Sequence, residues 1–162
     1  MQSDLQKYAH KRYNILTGEW VLVSPHRTKR PWQGQQEEPF KNDSPTYDPG
    51  CYLCPGNLRA NGESNPKYDD VFVFVNDFSA LQDDSKVFVF DDELLMAESE
   101  QGICKVVCFS SDHSKSLAQM TVKEIQKVVY VWQNEYLSLK KLEYINYVQI
   151  FENKGAIMGC SV

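Results

Sequence analysis

Apolar and polar positions alternate along the chain in a way that marks out a few elements. Residues 19–24, EWVLVS, are β-rich and stop at Pro25, which predicts a strand. Residues 71–75, VFVFV, are β-branched and aromatic throughout, the pattern of a strand buried on both faces. Residues 87–90 repeat the type, residues 103–109 (ICKVVCF) do so again, and residues 147–152 (YVQIFE) predict a further strand. The helix signal opens at Thr121. Thr121 and Glu124 fit a Thr-x-x-Glu capping box, in which each side chain satisfies a backbone donor of the first turn. Val122, Ile125, Val129, Trp132, Tyr136 and Leu139 then recur at steps of three and four, giving one apolar stripe on a helix that ends near Leu142. Residues 1–12 show no clear periodicity.

Strands in succession, one long helix and a last strand predict an α+β fold: an antiparallel or mixed sheet with the helix packed on one face. A parallel α/β sheet is the alternative, but a single good helix cannot make its crossovers. Residues 25–70 stand apart, since they hold all seven prolines. A loop that long is functional or disordered, and Trp32, Phe40, Tyr47, Tyr52 and Tyr68 are there to anchor it, so the expectation is order. At 162 residues the chain suits one domain, residues 1–162.

Charge narrows the function. Lys and Arg number 17 against 22 Asp and Glu, for a net charge of −5. Such a balance argues against binding nucleic acid by bulk charge. No stretch approaches the roughly 20 apolar residues of a bilayer span, and the first residues, MQSDLQKYAHKRY, are too polar for a signal peptide. The expectation is a cytoplasmic protein with no membrane or nucleic-acid partner. Five cysteines, an odd number, fit a reducing compartment better than a disulfide framework.

Cys51 and Cys54 form a C-x-x-C pair between Pro49-Gly50 and Pro55-Gly56. Two thiolates at this spacing can converge on one Zn²⁺. A redox pair and two buried thiols are the competing readings, and one C-x-x-C is only half of a closed zinc site. His113, in the polar loop that follows residues 103–109, is placed to be a ligand or an acid/base group; His10 and His26 are weaker candidates. Cys104 and Cys108, four apart in a strand, share a face and read as core thiols. The role of Cys160 stays open. The run His26-Arg27-Thr28-Lys29-Arg30 is the one dense basic cluster, either a local anion site or a solvated turn. Asn76 and Asp77 could accept from ribose hydroxyls or a base, or simply make an Asx turn. Asn153-Lys154-Gly155 and Gly159-Cys160-Ser161 offer turns able to wrap an anion, or ordinary loops.

In order along the chain, RYNILTGEWVLVSPHR (12–27), KRPWQG (29–34), CYLCPGN (51–57), NDF (76–78) and FENKGAIMGCS (151–161) resemble the galactose-1-phosphate uridylyltransferases, a family of the histidine-triad-like superfamily. The resemblance runs from about residue 12 to the last residue. It implies the Leloir-pathway reaction of galactose metabolism: a histidine attacks the α-phosphorus of UDP-glucose, glucose 1-phosphate leaves, and galactose 1-phosphate takes the uridylyl group to give UDP-galactose. It implies zinc on Cys51, Cys54 and His113. It implies uridine contacts at Asn76 and Asp77 with Ala60 near the base, and phosphate contacts at Asn153 and Ser161. It further implies a homodimer in which Arg27, Thr28, Lys29 and Arg30 reach the neighbouring subunit's substrate. In the family a Pro-His-Pro-His segment follows, giving the fourth zinc ligand and the nucleophile; here Val162 comes first. Cys160 and Ser161 would then be supporting residues beside a nucleophile just beyond Val162. The expectation is an N-terminal domain whose companion half, with its iron or second zinc, is absent, and which is inactive alone. A non-catalytic zinc or nucleotide-binding module, and another nucleotidyl transferase or hydrolase of the superfamily, are the alternative readings.

Overall fold

The structure, a computed structural model, describes residues 2–29, 44–92 and 94–153. The chain divides into two compact units, one formed by Met1–Arg30 and Val75–Val106, the other by Pro31–Phe74 and Val107–Val162. Antiparallel strands and one long helix make the fold α+β, as the sequence pattern predicts.

The first unit opens with a short helix, α1 (Gln2–Lys7), which lies against the 3₁₀ turn Pro25–Lys29. Its sheet is built from β1 (His10–Asn14), β2 (Glu19–Val23), β4 (Val89–Asp92) and β5 (Leu95–Ser99), in the spatial order β2-β1-β5-β4 with every pair antiparallel. The register sets His10 opposite Val23 on one side and Ser99 on the other, and Arg12 opposite Val21 and Ala97. Because side chains alternate between faces, His10, Arg12 and Ala97 share one face, where His10 and Ala97 are buried. On the opposite face Lys11 bridges Glu98 at 2.7 Å and Glu100 at 2.9 Å, and Tyr13 packs on Trp20. Gly18 closes the β1–β2 turn at φ +70°, a conformation that favours glycine, with its N–H on the Asn14 carbonyl at 2.8 Å.

The inner strands β1 and β5 are absent from the sequence expectation. Their buried side chains are an imidazole, His10, and a small Ala, Ala97, so no aliphatic alternation announces them. The strand expected at residues 87–90 sits two residues later, as β4, because pairing with β5 sets its limits; Val87 is exposed.

A separate two-stranded sheet pairs β3 (Phe72–Val75) with β6 (Lys105–Cys108). VFVFV is not buried on both faces: Phe72 to Phe74 are half-buried and Val75 is exposed. Phe72 stacks on Tyr68 at 5.0 Å and on Phe74 at 5.5 Å, which accounts for the aromatic content of one face.

In the second unit, α2 (Val122–Leu139) begins where the capping box predicts. The Thr121 N–H donates to Glu124 Oε2 at 2.7 Å, and the Glu124 N–H donates to Thr121 Oγ1 at 3.3 Å. The helix ends at Leu139, and hydrogen-bonded turns carry the chain on through Leu142 to Ile145. Its apolar stripe is only partly covered. Val128 alone is buried along α2, while Val122 is 74% and Tyr136 40% exposed. The strand expected at 147–152 does not form. Tyr147 and Phe151 are exposed, and among the described residues no strand pairs with that segment's backbone. Among the described residues, no helix is long and apolar enough to cross a membrane.

Candidate metal centre

The segment around Cys51 and Cys54 folds as a tight knuckle. Asp48 starts it: its Oδ1 accepts from the Gly50 N–H at 2.8 Å and its carbonyl from the Cys51 N–H at 3.1 Å. The Leu53 N–H then points at Cys51 Sγ, 3.3 Å away. Gly56, at φ +79°, turns the chain out and donates to the Pro66 carbonyl. Both cysteines are buried. His113 arrives from the loop after β6. Asp112 shapes that loop, its Oδ1 accepting from the Ser114 N–H at 3.0 Å and hydroxyl at 2.6 Å. Those contacts, the Ser114 hydroxyl first, hold the Asp112 carboxyl below its usual range. The His113 N–H donates to the Thr46 carbonyl at 2.8 Å, which ties the histidine to the strand of chain that enters the knuckle.

Cys51, Cys54 and His113 each bring one donor atom to a common point, all within 4.8 Å of one another, with Cys54 Sγ 3.5 Å from His113 Nδ1. Donor atoms on one tetrahedral ion stand about 3.5–4 Å apart, given metal–sulfur and metal–nitrogen bonds of about 2.3 and 2.0 Å. The group therefore fits a metal ion with little rearrangement. Burial pushes the Cys54 thiol up, and a cation among the donors reverses that preference by binding thiolate. Of the readings of the C-x-x-C pair, the metal site is the one this geometry supports.

Cys108 is buried nearby but is not one of the three donors. Burial drives its thiol up to about 11. Cys104 falls just outside β6 and is half-buried, so the shared burial expected of the two thiols applies only to Cys108. All four described cysteines are free thiols.

The remaining candidates fall in both units. Arg27, Thr28 and Lys29 lie exposed on the Pro25–Lys29 turn of the first unit. Asn76 and Asp77 belong to the same unit and make a tight turn: Asn76 Oδ1 accepts from the Phe78 N–H at 2.9 Å, and the Asn76 carbonyl accepts from the Ser79 hydroxyl at 2.7 Å. The structure brings these two groups together. His26 Nε2 donates to the Ser79 carbonyl and the Ser24 hydroxyl to the Ala80 carbonyl, pinning the basic turn to the 76–80 turn. His26 is thus occupied in that junction. His10 is fully buried, with Nδ1 on the Tyr8 carbonyl at 2.8 Å and Nε2 accepting from Arg12 Nε at 3.0 Å. Ala60 sits in the second unit, in the turn closed by the Leu58–Ser64 bridge. Asn153 is exposed. Arg30, Cys160 and Ser161 lie outside the described residues. Asn57, Asn65 and Tyr68 all hydrogen-bond to the knuckle; the sequence marks Tyr68 only as an aromatic anchor of the 25–70 loop and Asn57 only as part of the motif CYLCPGN, and it does not single out Asn65.

The family model described as "Galactose-1-phosphate uridyl transferase, N-terminal domain" matches residues 1–162. The chain belongs to this family. Curated relatives named galactose-1-phosphate uridylyltransferase include one from Haemophilus influenzae, 52% identical over 96% of this chain and 44% of its own length. One from Kluyveromyces lactis is 47% identical over 99% of this chain and 47% of its own length, and one from Saccharomyces cerevisiae is 46% identical over 98% and 47%. A solved structure described as a uridylyltransferase superposes with a TM-score of 0.51 at 25% identity, covering 82% of this chain and 37% of its own. The chain thus spans about half the length of the curated relatives it matches.

Proposed function

We propose that these residues form the metal-bearing, uridine-binding part of a UDP-glucose–hexose-1-phosphate uridylyltransferase that works in the cytoplasm in galactose metabolism. The carrying observation is that two thiols and an imidazole, from loops remote in sequence, converge in a chain that matches the family's N-terminal domain from first residue to last. In this reading the ion is Zn²⁺ on Cys51, Cys54 and His113, suited by its sulfur and nitrogen donors. When bound, it cross-links the knuckle to the loop after β6.

The reaction runs by two in-line displacements at the α-phosphorus of UDP-glucose. In the first, a histidine nitrogen forms a bond to phosphorus as the bond to the glucose 1-phosphate oxygen breaks. In the second, a phosphate oxygen of galactose 1-phosphate attacks, the phosphorus–nitrogen bond breaks and UDP-galactose forms. A covalent intermediate divides one hard transfer into two easier ones. The chain's own residues bind and orient. Asn76 and Asp77 hold the uridine part, with Ala60 beside the base. Asn153 and Ser161 hold phosphate oxygens, with Cys160 in support. Arg27, Thr28, Lys29 and Arg30 supply positive charge and donors to phosphate, reaching the site of a second subunit in a homodimer; Arg is suited to this by its planar fork of donors. The attacking nitrogen is not assigned to His10, His26 or His113: His10 has both ring nitrogens bonded, His26 donates through Nε2 and keeps its unpartnered Nδ1 buried, and His113 is one of the three metal donors.

The test is a transfer assay on the full-length protein with UDP-glucose and galactose 1-phosphate, together with its metal content. Parallel-line ping-pong kinetics, a trapped uridylylated protein and bound zinc are expected. Hydrolysis of UDP-glucose with no acceptance of hexose 1-phosphate would instead point to another activity of the superfamily.

A further inference from the structure

The four carbonyls of the C-x-x-C knuckle are all taken by side chains from farther along the chain. Asn57 Nδ2 donates to the Cys51 carbonyl at 2.8 Å and to the Asp48 carbonyl at 2.8 Å. Asn65 Nδ2 donates to the Tyr52 carbonyl at 2.8 Å and to the Cys54 carbonyl at 3.1 Å. The Tyr68 hydroxyl donates to the Leu53 carbonyl at 2.5 Å. Asn65 is itself only 4% exposed, and its Oδ1 is buried without a hydrogen-bond partner among the described residues. Its amide orientation is nonetheless fixed, because two carbonyls facing one nitrogen demand the donor end. Asn57 is anchored in turn by the Tyr47 hydroxyl on its Oδ1.

A loop of irregular backbone must find partners for its buried carbonyls. Here the partners do more than satisfy them. Each of these hydrogen bonds fixes the plane of one peptide, and the four planes from Cys51 to Cys54 set the directions in which the two thiols leave the backbone. A loop ordered beforehand loses less freedom when it closes on an ion.

We propose that Asn57, Asn65 and Tyr68 are positioning residues of the metal centre, holding Cys51 and Cys54 in a ligating geometry before the ion arrives. The inference rests on the metal reading given above and deepens it. Outer partners that orient metal ligands are worth roughly ten- to a hundredfold in affinity.

The test uses the full chain under reducing conditions, well below its melting temperature. Zn²⁺ affinity is read by competition with a chromophoric chelator, and site geometry by the absorption of the Co²⁺-loaded chain. Asn65→Ala and Asn57→Ala are each expected to weaken Zn²⁺ by roughly ten- to a hundredfold, with an altered Co²⁺ thiolate and ligand-field spectrum. Tyr68→Phe keeps the ring, removes one donor and is expected to fold with a smaller loss of affinity. Thr121→Ala, which destabilises through the helix cap, is expected to leave affinity unchanged and so separates positioning from general stability. Parent-like affinity and spectra in every knuckle variant that folds would overturn the inference alone. A parent chain that binds neither Zn²⁺ nor Co²⁺ would overturn the metal reading, and the inference with it.

Discussion

Cys54 Sγ lies 3.5 Å from Nδ1 of His113, although 59 positions separate the two residues in the chain. The contact is secured from both sides by backbone: the knuckle presents the thiol, and the hydrogen bond from the His113 N–H to Thr46 presents the imidazole. Neither side chain therefore needs to move far to bind. His113→Ala or Cys54→Ser is expected to reduce bound zinc from roughly one ion per chain to a small fraction, since two donors cannot complete a tetrahedral N/S site. Chelation of the parent chain is expected to lower its melting temperature. Zinc at a hundred times its dissociation constant stabilises by about 2.7 kcal/mol, which corresponds to about 5–10 °C in a domain of this size. Calorimetry with and without chelator checks this. A melting temperature indifferent to chelator would mean that the thiols serve only as packing.

How much of this centre could be read from sequence follows from what each residue needs. Cys51 and Cys54 announce themselves by spacing, because a metal knuckle constrains two side chains a fixed distance apart. From its own surroundings His113 is only a polar-loop histidine, and its partnership with Cys54 is legible only through the family resemblance, because it depends on how a remote loop returns. Asn65 leaves no mark and Tyr68 is marked only as a loop anchor, since what they recognise is backbone carbonyl, and any sequence has those. The fold divides in the same way. Local signals located α2, whose cap is a contact between Thr121 and Glu124, three residues apart. They missed β1, whose burial depends on the strands beside it: His10 becomes a core residue only when Val23 and Ser99 flank it.

The cap of α2 gives a prediction with a definite pH window. Both Glu124 oxygens are engaged: Oε1 takes Lys115 Nζ at 2.7 Å and Oε2 takes the Thr121 N–H and hydroxyl, each at 2.7 Å. The lysine, followed by the Thr121 contacts, holds this carboxyl down to about 2, from an ordinary value of 4.5. A carboxyl depressed in the folded state contributes stability that is fully present above its unfolded value and is lost as pH falls through the folded one. The stability gap between the parent chain and Glu124→Gln is therefore expected to be constant above about pH 5 and to close steadily toward pH 2. Thr121→Ala is expected to cost about 1 kcal/mol at neutral pH. Urea melts at several pH values measure both. A gap that widened on acidification would contradict the assignment.

His10 is expected to be a stability residue. Its ring is fully buried, donates to the Tyr8 carbonyl, accepts from Arg12 and lies 6.1 Å from the Phe88 ring. Truncation removes packed volume and leaves a carbonyl and a guanidinium N–H without their partner. His10→Ala is accordingly expected to destabilise by about 2–4 kcal/mol. His10→Gln, which keeps a donor and an acceptor, is expected to cost less. Zinc affinity of the folded variants is expected to stay at the parent value, since His10 and the metal donors belong to different compact units. A chemical denaturation series gives the first two quantities and a chelator competition the third.

The same accounting of imidazoles sets an expectation for catalysis. A uridylyl-histidine needs a ring nitrogen with a free lone pair and access to a phosphorus atom. His10 has both nitrogens engaged inside the sheet, His26 donates through Nε2 to the Ser79 carbonyl while its unpartnered Nδ1 is buried and lacks access, and His113 is one of the three metal donors, with Nδ1 facing Cys54. A polypeptide of residues 1–162 is therefore expected to release no glucose 1-phosphate from UDP-glucose and to incorporate no uridylyl label, while the full-length protein does both. Incubation with UDP-glucose labelled in the uridine, followed by denaturing gel analysis, reads the covalent step directly. Label retained on the 162-residue chain, and lost when His26 is replaced by alanine, would show that the pinned imidazole can be freed to act as nucleophile.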